Sequence, residues 1–497
     1  MRLSPSDVLT ALTQVWPSVS LPDDLPMLPD QVCIEMDTRK LEKGDIFIAV
    51  PGSQRDGREF IEQALGAGAS LVLAQGQQSD AQLDGRVLSL PHLSMRLGEL
   101  GRALYKVPSD LEVIAVTGTN GKSSVTHYIA ALSEALGTPA GLIGTLGVGR
   151  LSELMDSGLT TPGPLALQAA LGALAQQGVR RVALEASSHA LDQRRMEAVN
   201  VNVGVFTNLS RDHLDYHGSM VAYAASKAKL FRRAELSLAV VNGDDPLARL
   251  MLAGCGVGVR VLATGEDEAV TLRVVDWQAF EKGQQAMIAT PEGEKMLSLS
   301  LMGRFNLDNV LLAIAALYGL GETLDELFEA ASSLTPVSGR MELYRDADAP
   351  SVVVDYAHTP DALKNALQAL RAHLGDAGKL WCVFGCGGER DTGKRTEMAK
   401  AAEQLADRIV ITDDNPRGEP AEKIRQQILT GFSASAQPAE IGDRREAVAS
   451  AICQASSQDV VLIAGKGHEA YQEINGVRHA YADSEEIQRA FAARRPR

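Results

Sequence analysis

The run Gly118-Thr119-Asn120-Gly121-Lys122-Ser123 packs two glycines, a lysine and two hydroxyls into six residues. Those residue types suit a phosphate. Glycines let backbone N–H groups close around phosphate oxygens, Lys122 supplies a point charge, and the Ser123 hydroxyl can ligate Mg²⁺. The apolar run Val113-Ile114-Ala115-Val116 precedes the loop and a helix-like stretch from Ser123 to Leu136 follows it. A helix N-terminus therefore adds its dipole to the pull on an anion. The first glycine of the long phosphate-loop pattern falls at Val116, which makes the loop a variant.

Two more strand ends carry chemistry. The run Arg181-Val182-Ala183-Leu184 leads into Glu185-Ala186-Ser187-Ser188-His189, a carboxylate placed to hold Mg²⁺ beside a phosphate loop. The run from Val201 to Phe206 leads into a polar segment, 207–217, that brings His213 to the same edge, where a lone histidine is as readily structural as ligating. The next helix holds Tyr223, Ser226, Lys227 and Lys229, whose lysines read, from spacing and composition alone, as a solvated face.

Further on, four strand-like runs each end in functional groups: Asp355-Tyr356-Ala357-His358-Thr359-Pro360, Gly385-Cys386-Gly387-Gly388-Glu389-Arg390-Asp391, Asp413-Asp414-Asn415-Pro416-Arg417 and Gly465-Lys466-Gly467-His468-Glu469. Folding alone does not ask for glycine, carboxylate, arginine or histidine at four successive strand ends, and open α/β sheets bind ligands there. Cys382 and Cys386 lie four apart, but no second Cys/His pair stands nearby to complete a zinc site.

The elements that must carry these groups alternate apolar strand runs with helix-length segments, which implies an α/β fold with mostly parallel sheets. At 497 residues the chain exceeds one comfortable core, and three domains are expected. The first, 1–110, is a small α/β module punctuated by turns. The second, 111–335, is a phosphate-loop ATPase-like parallel sheet with an antiparallel appendage near 257–300, followed by a helix from Asn306 to Tyr318. The third, 336–497, is a Rossmann-like unit. A net charge of -15 argues against a nucleic-acid surface, and no apolar run approaches a membrane span. With no signal-peptide core at the N-terminus and five scattered cysteines, a cytoplasmic protein without membrane insertion is expected, as a monomer.

The ordered motifs resemble those of the Mur ligases. GTNGKS, Leu159-Thr160-Thr161-Pro162, EASSHAL at 185–191, FTNLSRDHLDYHG at 206–218, MGRFNLDN at 302–309, SGRME at 338–342, DYAHTPDAL at 355–363 and GKGHE at 465–469 follow one another over nearly the whole chain. The resemblance implies that a substrate carboxylate attacks the γ-phosphate of ATP and that an amine then displaces phosphate from the acyl phosphate. It implies ATP contacts from Gly118 to Ser124 and from Asn306, Asn309, Arg340, Asp355 and His358. Lys122, Glu185, His213 and Lys227 take catalytic roles, and Ser123, Glu185, His213 and a carbamylated Lys227 hold Mg²⁺.

The resemblance also implies a UDP-MurNAc-L-Ala-D-Glu substrate held by Met36, Thr38, Ser53, Gln54 and Arg55 of the first domain and by Thr160, Thr161, Ser187, Gln193 and Arg195. Two positions depart from the family pattern: Thr38 stands where a serine is usual, keeping the hydroxyl, and Leu159 precedes the threonine pair where some members carry a polar residue. Asp414-Asn415-Pro416-Arg417 marks the branch that adds meso-diaminopimelate. A planar guanidinium suits the second carboxylate that distinguishes this amino acid from lysine. Arg390, Gly465 and Glu469 match the remaining positions around it. Rival readings are a folylpolyglutamate synthase, a D-Ala-D-Ala-adding Mur ligase and a nucleotide-regulated binding protein without catalysis.

Overall fold

The strand Glu112–Thr117 lies inside a ten-stranded sheet, so the loop that follows it opens between two neighbouring strand ends. The structure is a computed structural model that describes every residue except 1, 20, 23–24, 53–54, 78–79, 157, 281–282, 375–376 and 495–497. The sheet order is Gly293–Leu299, Gly283–Thr290, Leu272–Phe280, Arg260–Gly265, Leu238–Asn242, Val203–Phe206, Glu112–Thr117, Arg181–Glu185, Ala140–Gly144, Gly147–Gly149. From Ala140–Gly144 across to Arg260–Gly265 the pairings are parallel. These strands are apolar runs because helices cover both faces.

Two cores result. One packs Val125, Tyr128 and Ile129 of the helix Lys122–Ala135 with the helix Arg304–Gly319. That second helix is buried almost all round, from Leu307 to Leu317, as a helix apolar on every side must be. The other core packs the helices Pro164–Gln176 and Met220–Ala228 on the opposite face. The expected antiparallel appendage is present but starts later than 257. Arg260–Gly265 extends the parallel sheet and pairs parallel with the start of Leu272–Phe280, and the antiparallel pairing of this segment runs through Leu272–Phe280, Gly283–Thr290 and Gly293–Leu299. The strand Ala140–Gly144 has no match among the expected strands; its two glycines in five residues weaken the β signal.

A five-stranded sheet, Ile34–Glu35, Ile46–Ala49, Leu71–Gly76, Val87–Pro91 and Gln82–Asp84, forms the first unit with helices Pro5–Val15 and Leu93–Leu104. A six-stranded sheet ordered Glu342–Tyr344, Ser351–Asp355, Val460–Ala464, Leu380–Phe384, Arg408–Ile411, Ala439–Glu440 forms the last, with a core on each face.

Contacts at His373 and at Arg211 are among those that tie the last unit to the middle one. Gly303 N donates to His373 Nε2 at 3.0 Å, so the ring proton sits on Nδ1, which donates to Phe280 O at 2.6 Å. Phe280 ends a strand of the antiparallel appendage, which gives that appendage a bracing task. At the far side, Arg211 reaches Asp391 at 3.3 Å and Glu397 at 3.5 Å.

Candidate active site

Gly118 begins the phosphate-type loop at φ +147°, and a Cβ there would fall on Thr207 Oγ1. Gly121 takes φ +84° as the helix N-cap, where a Cβ would meet Asn309 Oδ1 at 2.5 Å. Only glycine fits this close approach of strand end, loop and helix. The neighbouring strand end fastens the loop: Thr207 Oγ1 donates to Asn120 O at 2.5 Å, and Asn120 N donates to Asn208 Oδ1 at 3.0 Å.

Two lysine side chains share the loop. Lys122 Nζ donates to Gly118 O at 3.0 Å and Thr119 O at 2.8 Å, and Lys227 Nζ donates to the same Gly118 O at 2.6 Å. Lys227 is 1% exposed and sits 4.5 Å from the Tyr223 ring centroid. Burial first, then the nearby Lys122 charge, drives its amine well below the ordinary lysine range, against the pull of Asp212. The solvated-face reading is thus corrected for Lys227 and holds for Lys229, whose ammonium pairs with Asp192 at the surface. Tyr223 and Lys227 stand four apart on one helix face, a spacing that could have flagged the lysine as inward.

Glu185 is fully buried; Thr145 N donates to its Oε1 at 2.8 Å and Thr145 Oγ1 to its Oε2 at 3.2 Å. No lysine or arginine among the described residues forms an ion pair with it. His213 adopts a left-handed backbone, φ 53°, and its ring packs edge-on to His189 with centroids 4.9 Å apart. Burial holds its imidazole neutral down to about 4, opposed by Asp212. Lys122, Ser123, Thr145, Glu185, His213, Lys227 and Arg340 all line one recess.

A second recess adjoins it, lined by Asn120, Gly121, Ser124, Asn208, Asn309, Arg340, Asp355 and Tyr356. The Arg340 guanidinium lies 4.4 Å from the Tyr356 ring centroid, and Asp355 accepts from Met341 N at 2.8 Å. Asn306 is placed apart: it is buried, taking a hydrogen bond from Tyr128 OH and donating to Met302 O. A third, larger cleft runs from Thr160, Thr161, Ser187 and Arg195 past His213 to Arg390, Asp414, Asn415, Arg417, Gly465 and Glu469.

Three family descriptions cover the chain in the order of these units. The Mur ligase family catalytic domain matches residues 32–105, the Mur ligase middle domain 116–317, and the Mur ligase glutamate ligase domain 339–467. The chain belongs to the Mur ligase family. A UDP-N-acetylmuramoyl-L-alanyl-D-glutamate--2,6-diaminopimelate ligase of Pseudomonas aeruginosa is 46% identical over 472 residues, 93% of this chain and 95% of its own. A solved structure bearing the same enzyme name is 37% identical with a TM-score of 0.69, covering 97% of this chain and 98% of that one. MurF from Acinetobacter baumannii, 17% identical with a TM-score of 0.68 and covering 99% of both chains, shares the fold.

In this Mur ligase the third cleft is built by a hydrogen-bond network that sequence reasoning only partly named. Arg417 is held by its backbone, Arg417 N to Glu473 O at 3.0 Å and Asn475 N to Arg417 O at 2.7 Å. Asn415 Nδ2 donates to Glu469 Oε2 at 2.8 Å, and Tyr356 OH donates to Glu469 Oε1 at 3.3 Å. Pro416 follows in the same turn and its carbonyl accepts from Glu419 N. Asp414 Oδ1 is buried without a hydrogen-bond partner, and the Lys466 ammonium lies 3.6 Å from it.

Arg395, fully buried, donates to Glu419, to Gln427 at 2.5 Å and to Gly387 O at 3.2 Å. It thereby shapes the 385–390 loop that carries Arg390. Thr145, Lys394 and Arg395 had no place in the sequence reading, while Tyr356 and Lys466 stood in the expected strand-end runs without a role of their own; the tasks of all five emerge only where the fold brings them together.

Gln193 Oε1 accepts from Arg195 Nε at 2.9 Å, and Arg195 Nη1 donates to Thr161 O at 2.8 Å, so these form one rim. Met36, Thr38 and Arg55 belong to the first unit and line none of the three recesses. Ser53 and Gln54 lie outside the described residues.

Proposed function

We propose that this Mur ligase uses ATP to join meso-diaminopimelate to the terminal carboxylate of UDP-MurNAc-L-Ala-D-Glu, in peptidoglycan precursor synthesis. The observation that carries the reading is the shared cleft, into which Thr160, Thr161 and His213 open from the middle unit and Arg390, Asp414, Arg417 and Glu469 from the last. Within the family, the similarity to ligases named for diaminopimelate supports the choice of amine.

The substrate carboxylate attacks the γ-phosphorus of ATP, forming a C–O–P bond as the bond to the β-phosphate oxygen breaks and ADP leaves. The neutral amine then adds to the acyl carbon, phosphate departs with the bridging oxygen, and the amine loses a proton. The work is positioning and charge neutralisation. Lys122 and the N–H groups from Gly118 to Ser124 hold the phosphates, while Asn309, Arg340, Asp355 and His358 hold the rest of the nucleotide, with Asn306 stiffening the helix behind.

The donor set fits Mg²⁺. Glu185, Ser123, His213 and a carbamylated Lys227 would supply hard oxygens and an imidazole around a recess where, among the described residues, Glu185 forms no ion pair and accepts from Thr145. No group of three His, Cys, Asp or Glu side chains gathers among the described residues, and nucleotide Mg²⁺ needs only one or two protein carboxylates beside phosphate oxygens. When bound, Mg²⁺ offsets charge on the transferring phosphoryl group. Lys227 reacts as a neutral amine with CO₂, forming an N–C bond and releasing a proton. Its burial favours that neutral form.

Met36, Thr38, Ser53, Gln54 and Arg55 of the domain 1–110 hold the UDP-sugar, with Thr160, Thr161, Ser187, Gln193 and Arg195 of the domain 111–335 on the peptide. Arg390, Arg417, Gly465 and the Asp414-Asn415-Pro416 turn of the domain 336–497 hold diaminopimelate, and Glu469 meets its distal ammonium. The reading includes a monomer acting in the cytoplasm. No helix among the described residues is long and apolar enough to cross a membrane.

Phosphate release that requires ATP, UDP-MurNAc-L-Ala-D-Glu and diaminopimelate together tests the reading. Equal turnover of lysine and diaminopimelate overturns the choice of amine.

A further inference from the structure

Lys466 is fully buried, and its ammonium makes its polar contacts with residues of the amino-acid cleft. Its Nζ donates to Asn415 Oδ1 at 2.9 Å and to Glu469 Oε2 at 3.2 Å, and lies 3.6 Å from Asp414 Oδ1. A buried ammonium is tolerated only where such partners repay its lost hydration. Lys466 itself does not line the cleft; the three residues it touches do.

The hydrogen bonds have one consistent direction. Asn415 Oδ1 accepts from both Lys466 Nζ and Glu473 N, so the amide turns its Nδ2 toward Glu469 Oε2, to which it donates at 2.8 Å. Glu469 Oε2 thus receives two donors while Oε1 receives Tyr356 OH. The same ammonium offsets the repulsion between the Asp414 and Glu469 carboxylates, which share one wall.

We propose that Lys466 is a positioning residue for the incoming amine: it fixes the Asn415 amide and the Glu469 carboxylate in the geometry that receives diaminopimelate. The inference rests on the proposed reading of the cleft as the diaminopimelate site. Lys466 acts through its partners and touches no phosphate-recess group, so its loss separates the two halves of the reaction.

Lys466→Gln keeps a donor but removes the charge. The KM for diaminopimelate is expected to rise about 10- to 100-fold, the size of a lost charge-assisted hydrogen bond or supporting contact. Acyl phosphate formation, trapped as the hydroxamate by hydroxylamine without diaminopimelate, stays within about 3-fold of the parent. Lys466→Arg keeps the charge but changes the shape of a donor group held in a fully buried slot, so its KM for diaminopimelate rises by less, about 3- to 10-fold.

An unchanged KM for diaminopimelate in Lys466→Gln overturns the inference, as does an equal fall in hydroxamate and amide formation. Should Lys466→Gln give no cooperative unfolding transition, Lys466→Arg decides. A raised KM with normal hydroxamate formation supports the role, and a KM equal to the parent's or a joint fall of both steps overturns it. Failure of the unmodified protein to use diaminopimelate is a separate result that removes the underlying reading of the cleft.

Discussion

Arg417 Nη1 donates to the carbonyl of Gly388 at 2.9 Å, joining the Asp414-Asn415-Pro416-Arg417 turn to the loop that carries Arg390. The residue holds a left-handed backbone, φ 51°, and a bridge to Ile474 keeps it there. Its guanidinium is therefore anchored at one nitrogen before any substrate arrives. Arg417→Ala should raise the KM for diaminopimelate about 100-fold and leave that for ATP within about 2-fold, in line with loss of a charged pair. Arg417→Lys should not restore it, because an ammonium cannot offer two parallel donors. Steady-state phosphate release with each substrate varied makes the measurement.

Lys227 gives a chemical prediction. Its amine is enclosed by Gly118 O and the Tyr223 ring, beside Lys122. Native mass spectrometry of the intact protein should show the mass of one added CO₂, lost in Lys227→Met, and activity should fall when bicarbonate and CO₂ are stripped from the buffer. An unmodified Lys227 with activity indifferent to bicarbonate refutes carbamylation here.

Gly118 tests the loop. Gly118→Ala sets a Cβ against Thr207 Oγ1 at a φ that alanine avoids, so ATP affinity should drop at least about 10-fold, given 1–3 kcal/mol for such backbone strain. Gly137→Ala is the matched control: its φ is +80° but nothing lies within 4 Å of the added Cβ. It should lose some stability and keep ATP affinity. Isothermal titration with a non-hydrolysable ATP analogue distinguishes the two.

Acid should destabilise the fold in a defined window. Burial, aided by Lys394, holds His358 neutral down to about 4, and burial with the Arg340 charge does the same for His468. In the unfolded chain both take up protons near 6.5. The unfolded state thus binds more protons between these values, and stability falls as pH drops from about 6.5 toward 4. The denaturant midpoint should decline through that range, and His358→Asn should flatten the slope by close to one proton.

The sequence by itself determined the alternation of strands and helices, the phosphate loop and which strand ends carry chemistry. Those readings rest on local physics: strands buried on both faces, such as Leu380–Phe384 and Val460–Ala464, are continuous apolar runs, and the glycine, lysine and hydroxyl of the loop are neighbours in the chain. It did not determine burial or the charge around a given group, which depend on segments far apart in sequence. Spacing puts Lys227 and Tyr223 on one helix face, yet only packing against Gly118, 109 residues away, makes that face an interior one. Asn306 and Asn309 are three apart on one helix. Tertiary contacts turn Asn306 inward to Tyr128 and set Asn309 against Gly121. Lys466 stands in a visible motif, but its partners Asp414 and Asn415 come from another strand end, so its task emerges only where the two strands lie in one sheet. Chain-local chemistry can be read from residue types; which charges are desolvated, and by whom, is decided by the fold.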